Sequence, residues 1–161
     1  MKKKVERALR FADRAHAGQR RIGGEKFITH PVTVAAILTM YRYEDEDIFA
    51  AALLHDTVED TDVTLADIQR AFGKRIAGIV GELTKKPDGT FGLKTREAHI
   101  IKLADRIHNL LDCPPRMRRN YLKKTEDLLA AHGENFRAYA PDLYKALLHL
   151  MMRRTESIPE G

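Results

Sequence analysis

Apolar residues return every three or four positions along almost the whole chain, with no convincing run of strict alternation, and this periodicity predicts an all-α fold. Val5, Ala8, Leu9, Ala12 and Ala15 mark a first helix, and Gly18 begins the loop GQRRIGGEKF, which two adjacent glycines keep open. His30-Pro31 starts a second helix whose apolar side runs from Val32 to Met40, because proline is well tolerated in the first turn. A third, capped by Asp45 or Asp47, runs through Ile48 to about Asp56, and TLADIQRAFG forms a fourth between its cap Thr64 and its stop Gly73. Residues 74–84 make a fifth, and KKPDGTFG is a loop with turn chemistry at Pro87-Asp88-Gly89. A long helix from about Thr95 to Leu111 ends at Pro114-Pro115. Two amphipathic helices follow, 116–132 stopped by Gly133 and 141–154 opened by Pro141. About eight helices result, with neither repeat nor linker, and they predict a single compact helical bundle spanning residues 1–161.

Composition narrows the function. A chain of 161 residues suits one domain, and 43% hydrophobic with 32% charged residues excludes disordered and fibrous classes. The net charge of +5 favours an anionic partner, a phosphorylated small molecule or a nucleic acid. The lysines and arginines are scattered, with no recognition helix or aromatic platform, which argues against nucleic acid. The basic residues Arg116, Arg118, Arg119, Lys123 and Lys124 read most simply as a solvated helix face that can also steer a polyphosphate. The single Cys113 excludes an internal disulfide and a multi-cysteine zinc site. Met1-Lys2-Lys3-Lys4 is followed by VERALRFADRAH, too charged for a signal sequence, and no apolar stretch is long enough to span a membrane. The expectation is a cytoplasmic protein with no membrane partner.

Three places along the chain carry candidate chemistry. His30 sits at a helix start, His55-Asp56 at the end of an apolar helix, and Asp105 within the mostly apolar IIKLADRIHNLL. Two neutral imidazoles with carboxylates make a nitrogen/oxygen site suited to Mn, Fe or Zn, and carboxylate-rich octahedral coordination favours Mn. If the third helix continues, Glu59 and Asp60 lie one turn beyond His55 and Asp56 and share their wall. Two further carboxylates there can position and deprotonate a water whose pKa a metal lowers. Asn109, one turn after Asp105, points into the same space.

The stretches FADRAHAGQRRIGGEKFITHP (11–31), AALLHDTVEDT (51–61) and IIKLADRIHNL (100–110) closely resemble the three signature blocks of the RelA/SpoT hydrolase domain. In order and spacing they are similar to its stand-alone version, the small alarmone hydrolases of the HD superfamily. The resemblance covers about residues 5–130 and implies an all-helical HD fold. It implies one Mn ion held by His30, His55, Asp56 and Asp105, with Glu59 and Asp60 as the catalytic acids. The implied reaction is hydrolysis of (p)ppGpp at the 3′ position to GDP or GTP and pyrophosphate. Arg21 matches an arginine lying against the guanine, Asn109 a ligand-contacting asparagine, and Tyr121 a tyrosine near the substrate. His16, within the family's AHxGQ block, reads as a packing or hydrogen-bonding residue, and His99, His108, His132 and His149 as structural or exposed, with His108, three residues after Asp105, an alternative partner of the metal ligands.

The sequence also departs from that pattern. Ile22 stands where the family usually has lysine, Lys26-Phe27 replaces Pro-Tyr, Leu111-Asp112 falls where many members carry Arg-Thr, and the loop 85–95 is short. These changes lie outside the expected metal shell, so they bear on nucleotide identity before they bear on hydrolysis. Two other readings stay open: an HD phosphohydrolase for another phosphorylated nucleotide, and a non-catalytic nucleotide sensor. No synthetase sequence follows the domain, so hydrolysis without synthesis is expected.

Overall fold

The computed structural model describes residues 2–155, and among them every regular element is helical. The elements are α1 (Lys3–Ala15), α2 (Thr29–Met40), α3 (Glu46–Leu54), the single turn α4 (Thr57–Asp60), α5 (Leu65–Phe72), α6 (Lys74–Leu83), α7 (Arg96–Asp112), a 3-10 turn (Pro115–Met117), α8 (Arg118–Tyr139) and α9 (Pro141–Thr155). The all-α bundle and its helix order agree with the hydrophobic periodicity.

The bundle is organised around α3 and α7. Residues Ala50 to Leu54 are buried on every side, as expected of a helix apolar all round, and α3 packs against α1, α2, α6 and α7. The Asp45 side chain accepts from the Asp47 amide and starts α3, and Thr95 starts α7 by accepting from the Ala98 amide. Helix α7 packs against α2, α3, α6, α8 and α9, so its polar residues Lys102, Asp105 and Arg106 are buried among neighbours. Residues 102, 105, 106 and 109 recur at helical spacing and present one polar stripe inside an apolar bundle.

Three expectations change. The third helix does not continue as one α-helix to Asp56: α3 ends at Leu54, and α4 begins at Thr57. The bend is shallow, since His55 and Asp56 keep right-handed backbone angles and the Asp60 amide still bonds the Asp56 carbonyl at 2.9 Å. Gly133 does not stop the penultimate helix, because α8 runs through it for 22 residues to Tyr139. Its continuation is driven by Phe136, fully buried one turn further on, and the break comes at Ala140-Pro141. The loop after Gly18 is not open. It folds into a tight hairpin with an antiparallel bridge between Arg20 and Lys26, and Gly24 adopts φ +96° at its turn.

Candidate active site

The first turn of α2, the α3–α4 bend and the middle of α7 meet at one point. His30 and His55 are buried with Nε2 atoms 3.2 Å apart. An Asp56 oxygen lies 3.1 Å from His55 Nε2 and the other 3.4 Å from His30 Nε2, while Asp105 Oδ1 lies 3.2 Å from His30 Nε2 and 3.8 Å from His55 Nε2. Ligands about 2.1 Å from a cation and at right angles to each other are about 3 Å apart, so this spacing fits a shared divalent ion.

The outer ring nitrogens fix the tautomers. His55 Nδ1 lies 2.7 Å from the Ala52 carbonyl oxygen, which can only accept, so Nδ1 carries the hydrogen and Nε2 presents its lone pair inward. His30 Nδ1 meets His108 Nδ1 at 2.6 Å. Burial first, then the charges of His30 and Arg21, hold His108 down at about 4, so it is neutral and can accept from His30. Burial likewise lowers His30. His55 behaves oppositely: burial pushes it down, but the Asp56 and Asp105 carboxylates outweigh this and raise it to about 10. This concentration of acceptors demands a positive charge, which a divalent cation supplies while both imidazoles stay neutral. The donor set therefore fits a metal.

Asp105 is further braced by the Asn109 amide on Oδ1 and by Lys102 Nζ at 2.9 Å on Oδ2. Burial opposes ionisation of Asp105, yet Lys102, the two histidines and Arg106 hold its carboxyl well below the usual range. Asp60 is pushed the other way, by burial first and then by the Asp56 and Glu59 carboxylates. Glu59 is engaged by Lys85, whose backbone amide donates to Oε2 at 3.0 Å and whose ammonium donates to Oε1 at 2.9 Å. Behind the bend, His16 donates to Gln19 and the Gln19 amide donates to the Asp60 carbonyl at 2.7 Å, so the AHAGQ segment braces the turn that carries Glu59 and Asp60.

Of the residues that the sequence assigns to metal, acid or substrate roles, all but His55 line a single cavity of about 580 Å³, and His55 lies just beneath it. Arg21 reaches the cavity from the hairpin, Asn109 from α7 and Tyr121 from α8. Lys85, Lys102 and Arg106, which the sequence motifs alone do not assign to the site, also line it. Arg106 is only 8% exposed, its guanidinium makes no hydrogen bond or ion pair among the described residues, and its nearest ring is Tyr121 at 5.7 Å. Its signal was present: Lys102 and Arg106 flank Asp105 at the spacing that puts all three on one face. Of the basic cluster at the start of α8, Lys124 lines the cavity and Lys123 pairs with Asp127 instead.

Comparison with known proteins follows the same lines. The HD domain family matches residues 8–87. A probable guanosine-3′,5′-bis(diphosphate) 3′-pyrophosphohydrolase from Synechocystis is 32% identical over 92% of this chain and 24% of its own length. The bifunctional (p)ppGpp synthase/hydrolase SpoT of Escherichia coli is 39% identical over 67% of this chain and 18% of its own. A solved structure described as a metazoan ortholog of SpoT that hydrolyses ppGpp superposes with a TM-score of 0.81 at 27% identity, covering 96% of this chain and 97% of that one. The chain carries an HD domain and has relatives of the SpoT/RelA type. It spans about a quarter or less of the curated relatives named here, yet nearly all of the solved metazoan chain. A Listeria monocytogenes structure at 22% identity and TM-score 0.59 shares the fold of this HD domain. None of its helices is long and apolar enough to cross a membrane, as far as the described residues extend.

Proposed function

We propose that this HD domain binds one divalent ion, Mn²⁺ by preference, and hydrolyses ppGpp to GDP and pyrophosphate, or pppGpp to GTP and pyrophosphate. The observation that carries the reading is the convergence of two imidazole Nε2 atoms and two carboxylates at ligand spacing on the floor of a cavity lined with both acids and cations. The activities for which the Synechocystis, Escherichia coli and metazoan relatives are named support the same substrate class.

His30, His55, Asp56 and Asp105 are the residues that hold the ion. When bound, it lowers the pKa of water and neutralises charge on the phosphate being cleaved. The chain's own residues supply the rest. Asp60, exposed to solvent and pushed toward higher pKa, is placed to orient the attacking water and take its proton. Glu59 holds Lys85 beside Phe91 at the cavity wall, so its role is shared between the acid pair and the positioning of that ammonium. Arg106 and Lys124 face the cavity as cations for a second phosphate arm, Asn109 contacts the ligand near Asp105, and Arg21 and Tyr121 offer flat surfaces toward the base. Catalysis is then mainly positioning and charge stabilisation. The lone, free cysteine suits a reducing compartment, and we place the reaction in the cytoplasm.

The test is incubation of the purified protein with ppGpp and Mn²⁺, with product separation and a chelator control. GDP plus pyrophosphate, lost with the chelator, is the expected result. Turnover of a different 3′-phosphorylated nucleotide with ppGpp untouched would transfer the reading to that nucleotide, a case favoured by Ile22 standing 54% exposed instead of a lysine. Tight ppGpp binding with no turnover under any divalent metal would make the domain a sensor.

A further inference from the structure

Asp112 is one of the positions at which this chain leaves the RelA/SpoT pattern, and it holds an arginine of the cavity wall. Arg21 Nε and Nη2 both donate to Asp112 Oδ2, at 3.0 and 2.6 Å, and Nη2 also reaches Asn109 Oδ1 at 3.4 Å. Asn109 is itself fixed, because its amide donates to Asp105. One edge of the Arg21 guanidinium is therefore fully occupied, and its plane is set by two acceptors from successive turns of α7. Arg21 also lines the cavity, where a flat aromatic ring can stack on its guanidinium.

The carboxylate has a second oxygen. Asp112 Oδ1 makes no hydrogen bond among the described residues, and the Asp112 side chain is 41% exposed beside an Arg21 that is only 14% exposed. Arg21 first, with burial opposing, keeps the carboxyl below the usual range, so the group is an acceptor only. We propose that Asp112 selects the base: it locks Arg21 as a stacking surface and offers Oδ1 to a ring edge with adjacent N–H donors. Guanine carries such an edge at N1 and its exocyclic amine, hypoxanthine keeps only the N1 donor, and adenine presents an acceptor at N1. A carboxylate therefore attracts the first, is half-matched by the second and repels the third. This deepens the nucleotide reading above and rests on it for the identity of the ligand class.

A charge-assisted hydrogen bond contributes about 1.5–3 kcal/mol, or roughly 10- to 150-fold in affinity. The experiment measures binding of GDP, IDP and ADP by calorimetry with Mn²⁺ present, for the wild type, Asp112→Ala and Asp112→Asn. The wild type is expected to prefer GDP over IDP and ADP by at least about tenfold, and Asp112→Ala to bring all three within about threefold. Asp112→Asn keeps the shape without the charge and is expected to lose most of the preference. Discrimination that persists in both variants overturns the proposal, as does a wild type that binds the three diphosphates equally. None of these ligands carries a 3′-phosphate, so base selection is read even if ppGpp proves not to be hydrolysed. Hydrolysis without the preference, conversely, leaves the proposed function standing and removes Asp112 from it.

Discussion

Replacing Arg106 with Met makes the protein more stable and its ligand binding weaker, an opposite pair of changes that a purely structural arginine does not produce. Arg106 is 8% exposed, its Nε is buried with no partner, and no carboxylate lies within ion-pair distance among the described residues. Asp105 feels its charge without contact. A buried polar group left unpaired costs about 1–3 kcal/mol, and methionine keeps much of the apolar stem that packs near Tyr121 while removing that cost. For a domain of this size about 1 kcal/mol corresponds to roughly 2–4 °C, so Tm measured without nucleotide is expected to rise by about 2–12 °C. The lost charge-assisted contact to phosphate is about 1.5–3 kcal/mol, which raises the Kd for ppGpp by roughly 10- to 150-fold. Thermal melts followed by circular dichroism and calorimetric titration of ppGpp read the two quantities independently. A fall in Tm with unchanged affinity would refute the reasoning, because it would show that Arg106 serves the fold and not an anion.

Other outcomes follow from the same structure. Asp60→Asn is expected to lower pyrophosphate release by about 10²- to 10⁴-fold while ppGpp binding stays measurable by calorimetry, and unchanged turnover would remove Asp60 from the chemistry. Gly133→Ala is expected to raise Tm by a few degrees: the glycine is mid-helix in α8, an added Cβ meets only Tyr144 Oη at 4.0 Å, and alanine gains about 1 kcal/mol of helix propensity. A lowered Tm would show that the close pairing of α8 and α9 needs the missing side chain. Arg75 bonds Asp45, Asp47 and Glu97 at 3.0, 2.5 and 2.8 Å and contributes to holding all three carboxyls below their ordinary values. Groups whose folded pKa is depressed stabilise above their unfolded pKa and lose that contribution as pH falls through the folded one. The stability penalty of Arg75→Ala, on the order of 1 kcal/mol after solvent screening and read as a lowered Tm, is therefore expected in full near neutrality and to fade as the pH drops below about 4. A penalty independent of pH down to that range would count against the ion-pair account.

The site was more legible in the sequence than its surroundings. His30, His55, Asp56 and Asp105 could be read as a cluster because each stands where an apolar helix begins, ends or is interrupted, and an acid or imidazole in such a place needs a reason. The helix count was legible for the same cause, the 3.6-residue recurrence of apolar positions. The end of α8 was not, because a glycine after an amphipathic stretch suggests a stop, and only tertiary packing of Phe136 carries the helix onward. The bend at His55-Asp56 was invisible because both residues stay near helical angles, and the hydrophobic pattern does not sense so small a deflection. Arg106 and Lys85 were passed over because a cation near acids looks like an ordinary pair. That Glu59 is engaged by Lys85 while Arg106 has no hydrogen-bond or ion-pair partner among the described residues is a fact of long-range geometry. The Arg21–Asp112 pair, 91 residues apart in sequence, could be suspected from an unusual residue at position 112 but not placed.

The central claim is that water attacks the 3′-linked phosphorus at the site formed by His30, His55, Asp56 and Asp105, with Asp60 handling the proton. It is tested most directly by running the reaction on ppGpp in ¹⁸O-labelled water with Mn²⁺ and analysing both products by mass spectrometry. The account predicts one heavy oxygen in the pyrophosphate and none in the GDP, with the product lost on chelation and in Asp60→Asn. Label in the GDP, release of orthophosphate as the first product, or equal turnover after chelation would contradict it.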